Sequence, residues 1–128
     1  MASLGRHTLA ELGGCTAARL ADLSLVESSM LDAARISGAT IITYSFHHFA
    51  GQDGGQGVSG AVIIAESHLA IHTWPEHQFA AVDFFTCGKG VEVRKALDHL
   101  KDAFQARTEE LLELERGPLR VGTVVIRS

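Results

Sequence analysis

Three runs decide how this chain folds: VSGAVIIAES at 58–67, LAIHTW at 69–74 and FAAVDFFTC at 79–87. All are dense in β-branched and aromatic residues, whose side chains suit a pleated, half-buried surface, and none is long enough for a typical helix. They read as consecutive strands. ATIITYSFHHF at 39–49 reads the same way, as do HTLAEL near the start and LRVGTVVIR at the end.

Two helical patterns flank this block. In LADLSLVESSMLDAARIS at 20–37, Leu23, Val26, Met30, Ala33 and Ala34 recur at helical spacing, with Ser24 and Glu27 as a capping box and Gly38 as a stop. Over 91–106, Val93, Leu97, Leu100 and Phe104 form one apolar stripe, while Lys95, Asp98, Lys101 and Asp102 face water. The order β-α-β-β-β-β-α-β predicts an α+β two-layer sandwich, a mostly antiparallel sheet with two helices on one face. Apolar residues of both parities in 60–65 and 79–86 then leave a second face needing cover, and a homodimer is the simplest supplier.

At 128 residues and 46% hydrophobic, the chain can close one core, and no linker divides it, so a single domain over 1–128 is expected. The net charge of −4, with its basic residues scattered, argues against nucleic acid as a partner. The opening MASLGRHTLAELGG has no apolar run of signal-peptide length and no run approaches a membrane span, so a cytoplasmic protein is expected. Cys15 and Cys87 are too few for a disulfide framework and read as free thiols. AGQDGGQG at 50–57 fits no phosphate-loop pattern and reads as a long turn.

The chemistry concentrates in ESHLAIHTWPEH at 66–77. His68 and His72 have the spacing of a helical zinc pair, but on a strand four residues span ~13 Å, so one ion cannot take both. His47 and His48 are strand neighbours and point to opposite faces. No metal site is expected. The Ser/His hydrolase motif G-x-S-x-G is missing around Ser59 and Ser67, and FFTCG does not advertise an activated thiol.

The string ESHLAIHTWPEH, followed by AAVDFFTCG and accompanied by SLGRH at 3–7, GAT at 38–40, FHHF at 46–49 and GVSG at 57–60, closely resembles the short prokaryotic S-adenosylmethionine decarboxylases. The resemblance runs over about residues 3–105 and implies a proenzyme that cuts its own backbone between Glu66 and Ser67. It leaves a β chain of 1–66 and an α chain of 67–128 headed by a pyruvoyl group made from Ser67. That group would be the sole cofactor, a ketone that condenses with the substrate amine and draws off the electrons left when carbon dioxide departs.

By the same resemblance His72 moves the Ser67 α-proton, Ser59 assists processing, and Cys87 reprotonates the product carbon. Phe49, Trp74 and Glu76 bind the substrate S-adenosylmethionine, with Glu11 a fainter carboxylate candidate. The decarboxylated product would supply aminopropyl groups for spermidine. The glycine-rich 50–57 loop is longer than the family pattern, which keeps arginine or ornithine open as substrates. A non-catalytic activating homologue is the remaining rival, and the presence of Ser67, His72 and Cys87 speaks against it.

Overall fold

The computed structural model describes residues 3–50, 56–87, 90–117 and 120–127. Strand β1 (Gly5–Gly13) leads through the single turn α1 (Ala17–Leu20) into α2 (Leu23–Ile36). Four strands follow, β2 (Ile41–Ala50), β3 (Gln56–Ile64), β4 (Ser67–Trp74) and β5 (Phe79–Thr86), with a 3₁₀ turn at Pro75–His77 before the last. Helix α3 (Val93–Phe104), β6 (Thr108–Arg116) and β7 (Arg120–Arg127) complete the chain. The α+β class holds, with one seven-stranded sheet in the order β2-β3-β4-β5-β1-β6-β7 and every pairing antiparallel.

Strand alternation sorts the side chains between two faces. Thr8, Ala10 and Leu12 of β1, Leu69, Ile71 and Thr73 of β4, and Ala80, Val82 and Phe84 of β5 are buried in register on one face. Against them pack Val26, Met30, Ala33 and Ala34 of α2 and Leu97, Leu100 and Phe104 of α3. The other face carries Leu9, Glu11, Ser59, His68, His72, Asp83 and Phe85, and none of the described helices covers it. No described helix is long and apolar enough to cross a membrane.

The structure corrects the sequence reading in four places. TEELLELER at 108–116, assigned no element, is strand β6 between β1 and β7. Its glutamates and leucines favour helix in isolation, and pairing on both edges overrides that preference. The extra turn α1 also appears. Helix α2 begins two residues ahead of the expected Ser24 cap, because Asp22 is the cap, its carboxylate accepting the Leu25 N–H at 3.1 Å. Residues 65 and 66 form a two-residue turn, so Ser67 opens β4 instead of ending the preceding strand. Gly38 stops α2 as expected, at φ +89°, and the tip of the 50–57 loop, residues 51–55, lies outside the described residues.

Buried Glu109 ties α3 to the sheet. Arg94 donates to its Oε1 at 2.6 Å, and Lys101 brings its Nζ within 3.0 Å of Oε2 without a well-aligned hydrogen bond.

Candidate functional site

The candidate residues gather in two places on one sheet. The first is the β3–β4 hairpin. Ile64 and Ser67 are paired, and Ala65 and Glu66 make the connection. Ser67 sits at φ +144°, a conformation that L-residues avoid at a cost of about 1–3 kcal/mol. The Glu66–Ser67 peptide thus lies in a tight turn that ends on a strained residue.

Cys87, just past the end of β5, clasps that turn. Its N–H donates to the Glu66 carbonyl oxygen at 2.9 Å and its thiol to the same oxygen at 3.2 Å. Two donors on one carbonyl polarise it and would steady negative charge developing on its oxygen. The Ser67 hydroxyl points toward the Cys87 sulfur, 3.9 Å away. Cys87 is exposed and borders a pocket of about 370 Å³ walled by Leu4, Arg6, Val91, Val93 and Glu115. Cys15, by contrast, is buried, and burial pushes its thiol up to about 11, so only Cys87 is placed for chemistry.

The second place lies on the uncovered face. Ser59 of β3 and His72 of β4 are cross-strand partners, and the serine Oγ and the imidazole Nδ1 share a 2.9 Å hydrogen bond. The His72 ring lies 6.3 Å from Trp74, which meets Phe49 edge-on at 6.3 Å and Phe79 at 5.5 Å. Phe49 can lie this close because Gly57 opposite it has no side chain: a Cβ there would stand 2.5 Å from its ring. Glu76 is exposed on the adjoining 3₁₀ turn. Glu11 occupies the same row of the sheet as His72, two strands away across small Ala81. Burial pushes its carboxyl above the usual range, and the nearby charges of Glu110 and Asp83 add to the effect.

The structure therefore joins Glu66, Ser67 and Cys87, and it joins Ser59, His72, Trp74 and Phe49, but it does not bring the two groups together in one chain. Ser67 and His72 are five residues apart on β4, ~16 Å at ~3.3 Å per residue.

Near Ser67 the uncovered face carries two histidines, His68, which the sequence raises only as a metal ligand, and His7, to which it assigns no role. His7 and His68 flank Phe85 in register, with ring centroids 5.4 and 5.7 Å from it, and the Arg116 guanidinium lies 4.8 Å over the same ring. Burial lowers the His7 pKa, with Asp83 opposing, and its Nε2 has no hydrogen-bond partner among the described residues. Their signal was present in SLGRH and ESH, but only the sheet register places them beside one another.

The family model described as S-adenosylmethionine decarboxylase matches residues 6–117. The chain belongs to the S-adenosylmethionine decarboxylase family. It is 50% identical over 117 residues to the S-adenosylmethionine decarboxylase proenzyme of Acidithiobacillus ferrooxidans, covering 91% of this chain and 85% of that one. Identity to the proenzyme of Thermotoga petrophila is also 50%, covering 91% and 87%. A crystal structure of the adenosylmethionine decarboxylase from Aquifex aeolicus superposes with a TM-score of 0.81 at 30% identity, over 96% of this chain and 98% of that one. In this decarboxylase family the relatives are named as proenzymes, which directs attention to the strained hairpin.

Proposed function

We propose that the chain cleaves itself between Glu66 and Ser67 and, once cleaved, decarboxylates S-adenosylmethionine. The observation that carries this reading is the scissile turn itself: a strained serine follows a carbonyl that accepts two hydrogen bonds from Cys87. The Ser67 hydroxyl attacks the Glu66 carbonyl carbon, the C–N bond breaks, and an ester replaces the amide while the freed nitrogen takes up a proton. Cys87 steadies the oxyanion, and escape from the φ +144° geometry favours the rearrangement. Removal of the Ser67 α-proton then expels the Glu66 carboxylate. Hydrolysis of the resulting dehydroalanine releases ammonia and leaves a pyruvoyl group on residue 67, with fragments 1–66 and 67–128.

Residue 67 suits that group, since it heads an internal strand whose Thr86 partner holds it in the sheet after the cut. When formed, the pyruvoyl ketone supplies the electron sink for loss of carbon dioxide. Cys87 is the proton source at that position, an exposed thiol beside residue 67. Decarboxylated substrate leaving the site would serve aminopropyl transfer to spermidine. Two free cysteines accord with a reducing, cytoplasmic setting.

The base for the α-proton comes, on this reading, from a second copy. Ser59 orients His72 through Nδ1, leaving Nε2 for proton transfer. A span of ~16 Å keeps that imidazole from Ser67 of its own chain. Pairing two uncovered sheet faces about a two-fold axis would let His72 of each subunit serve Ser67 of the other and would cover Leu9 and Phe85. The same pairing would bring Phe49, Trp74 and Glu76 to the pyruvoyl end. Their aromatic faces suit an adenine next to a sulfonium, and the Glu76 carboxylate suits ribose hydroxyls.

Arginine and ornithine lack both the adenine that would stack on that platform and the ribose hydroxyls that Glu76 would bind. Carbon dioxide release from S-adenosylmethionine should therefore exceed release from arginine or ornithine by at least about a hundredfold in kcat/KM, the scale of a lost aromatic binding contribution plus misplacement. Comparable turnover of an amino acid would contradict the substrate assignment and leave the self-cleavage standing.

A further inference from the structure

Glu66 is held at its side chain as well as at its carbonyl. Its carboxylate Oε1 accepts the Thr40 N–H at 3.1 Å, and the Ala65 N–H in turn donates to the Thr40 carbonyl at 2.8 Å. Thr40 is the last residue before β2, and its position is fixed from behind. Helix α2 ends in a reciprocal cap, with the Gly38 N–H on the Arg35 carbonyl at 3.0 Å and the Ala39 N–H on that of Ala34 at 3.1 Å. Gly38 at φ +89° makes this turn possible, so the GAT string at 38–40 delivers one backbone donor to one place.

The two-residue turn is consequently pulled from both sides. Thr40 holds the Glu66 side chain, and Cys87 holds the Glu66 carbonyl. Fixing both ends of one residue fixes rotation of the peptide plane that the Ser67 hydroxyl must attack.

From this geometry we infer that the Glu66 carboxylate is a positioning group for self-cleavage, a role that rests on the reading of Glu66–Ser67 as the scissile bond. The group touches no reacting atom. It holds the Glu66 carbonyl in the orientation from which the Oγ–C bond forms as the C–N bond breaks, the nitrogen receiving a proton and no outside reactant being consumed. Because Thr40 N–H and the carboxylate are both near solvent, water can replace either partner, so losing the bond should alter cleavage far more than folding.

The test is a time course of full-length chains, synthesised intact and followed by mass, with and without hydroxylamine, which splits the ester as it forms. Glu66→Gln keeps an acceptor of the same reach and should cleave within about twofold of wild type. Glu66→Ala removes the acceptor, Glu66→Asp keeps the charge but shortens its reach, and both should be slower by roughly five- to tenfold. Hydroxylamine should not rescue them, because the acyl shift itself is slowed. Wild-type speed in Glu66→Ala, or in Glu66→Asp with a slow Glu66→Gln, would overturn the clamp while leaving self-cleavage intact. A wild-type chain that never cleaves would overturn both.

Discussion

Chains carrying Ser67→Ala and chains carrying His72→Ala should each remain uncut alone, and mixing them from the unfolded state should restore cleavage. The expectation follows from the separation of Ser67 and His72 along β4, ~16 Å by strand geometry. In a mixed dimer the Ser67→Ala chain supplies an intact Ser59–His72 pair to the Ser67 of its partner. Random pairing of equal amounts puts about half of the His72→Ala chains in mixed dimers, and that half should be cut. Fragment yield on a denaturing gel reads the result. If His72→Ala alone cleaves at the wild-type rate, His72 is not the base, and His68 or His7, which flank Phe85 near Ser67, become the candidates. No cleavage in the mixture, with both parents folded, would place the whole site within one chain.

Arg94→Ala should cost about 2 kcal/mol of stability, seen as a fall of roughly 5–10 °C in Tm. Glu109 is 1% exposed, and Arg94 is its one well-aligned hydrogen-bond donor among the described residues. Removing that donor leaves a buried carboxylate with the charge of Lys101 alone. The full penalty of breaking a buried pair, ~3–5 kcal/mol, is discounted because Arg94 itself is 42% exposed and water can enter where it stood. Lys101→Ala should cost less than about 1 kcal/mol, since that pair adds charge without an aligned bond. Arg94→Ala combined with Glu109→Leu should recover most of the loss, as the buried charge is then gone. Equal losses in the single and double variants would mean that Arg94 acts through packing instead.

Most of the sheet is legible from local pattern, because β2 to β5 are β-branched and short and the two long helices keep one apolar stripe. β6 is not legible that way. Glu109, Glu110, Glu113 and Glu115 favour helix or solvent by composition, and the strand exists because β1 and β7 pair with it while Arg94 reaches down to Glu109. The α2 cap shows a smaller version of the same limit: Asp22 and Ser24 are both cap-forming residue types, and it is the Asp22 carboxylate that takes the Leu25 N–H.

For the site, the string ESHLAIHTWPEH carries the chemistry, but distances hide in it. The strand spacing that separates His68 from His72 separates Ser67 from His72 more widely still, which points outside the chain for a base. The strain at Ser67, the Cys87 clasp and the Thr40 contact depend on segments distant in sequence meeting at the hairpin, so the strings that carry these residues do not by themselves reveal the contacts.

The most direct test of the central claim is the intact mass of the purified, denatured wild-type protein after prolonged incubation at neutral pH. Two fragments divided after residue 66 are expected, the second beginning with an amine-reactive ketone in place of serine and absent from Ser67→Ala. A single full-length mass would contradict it and leave the Glu66–Ser67 turn as a strained but silent hairpin.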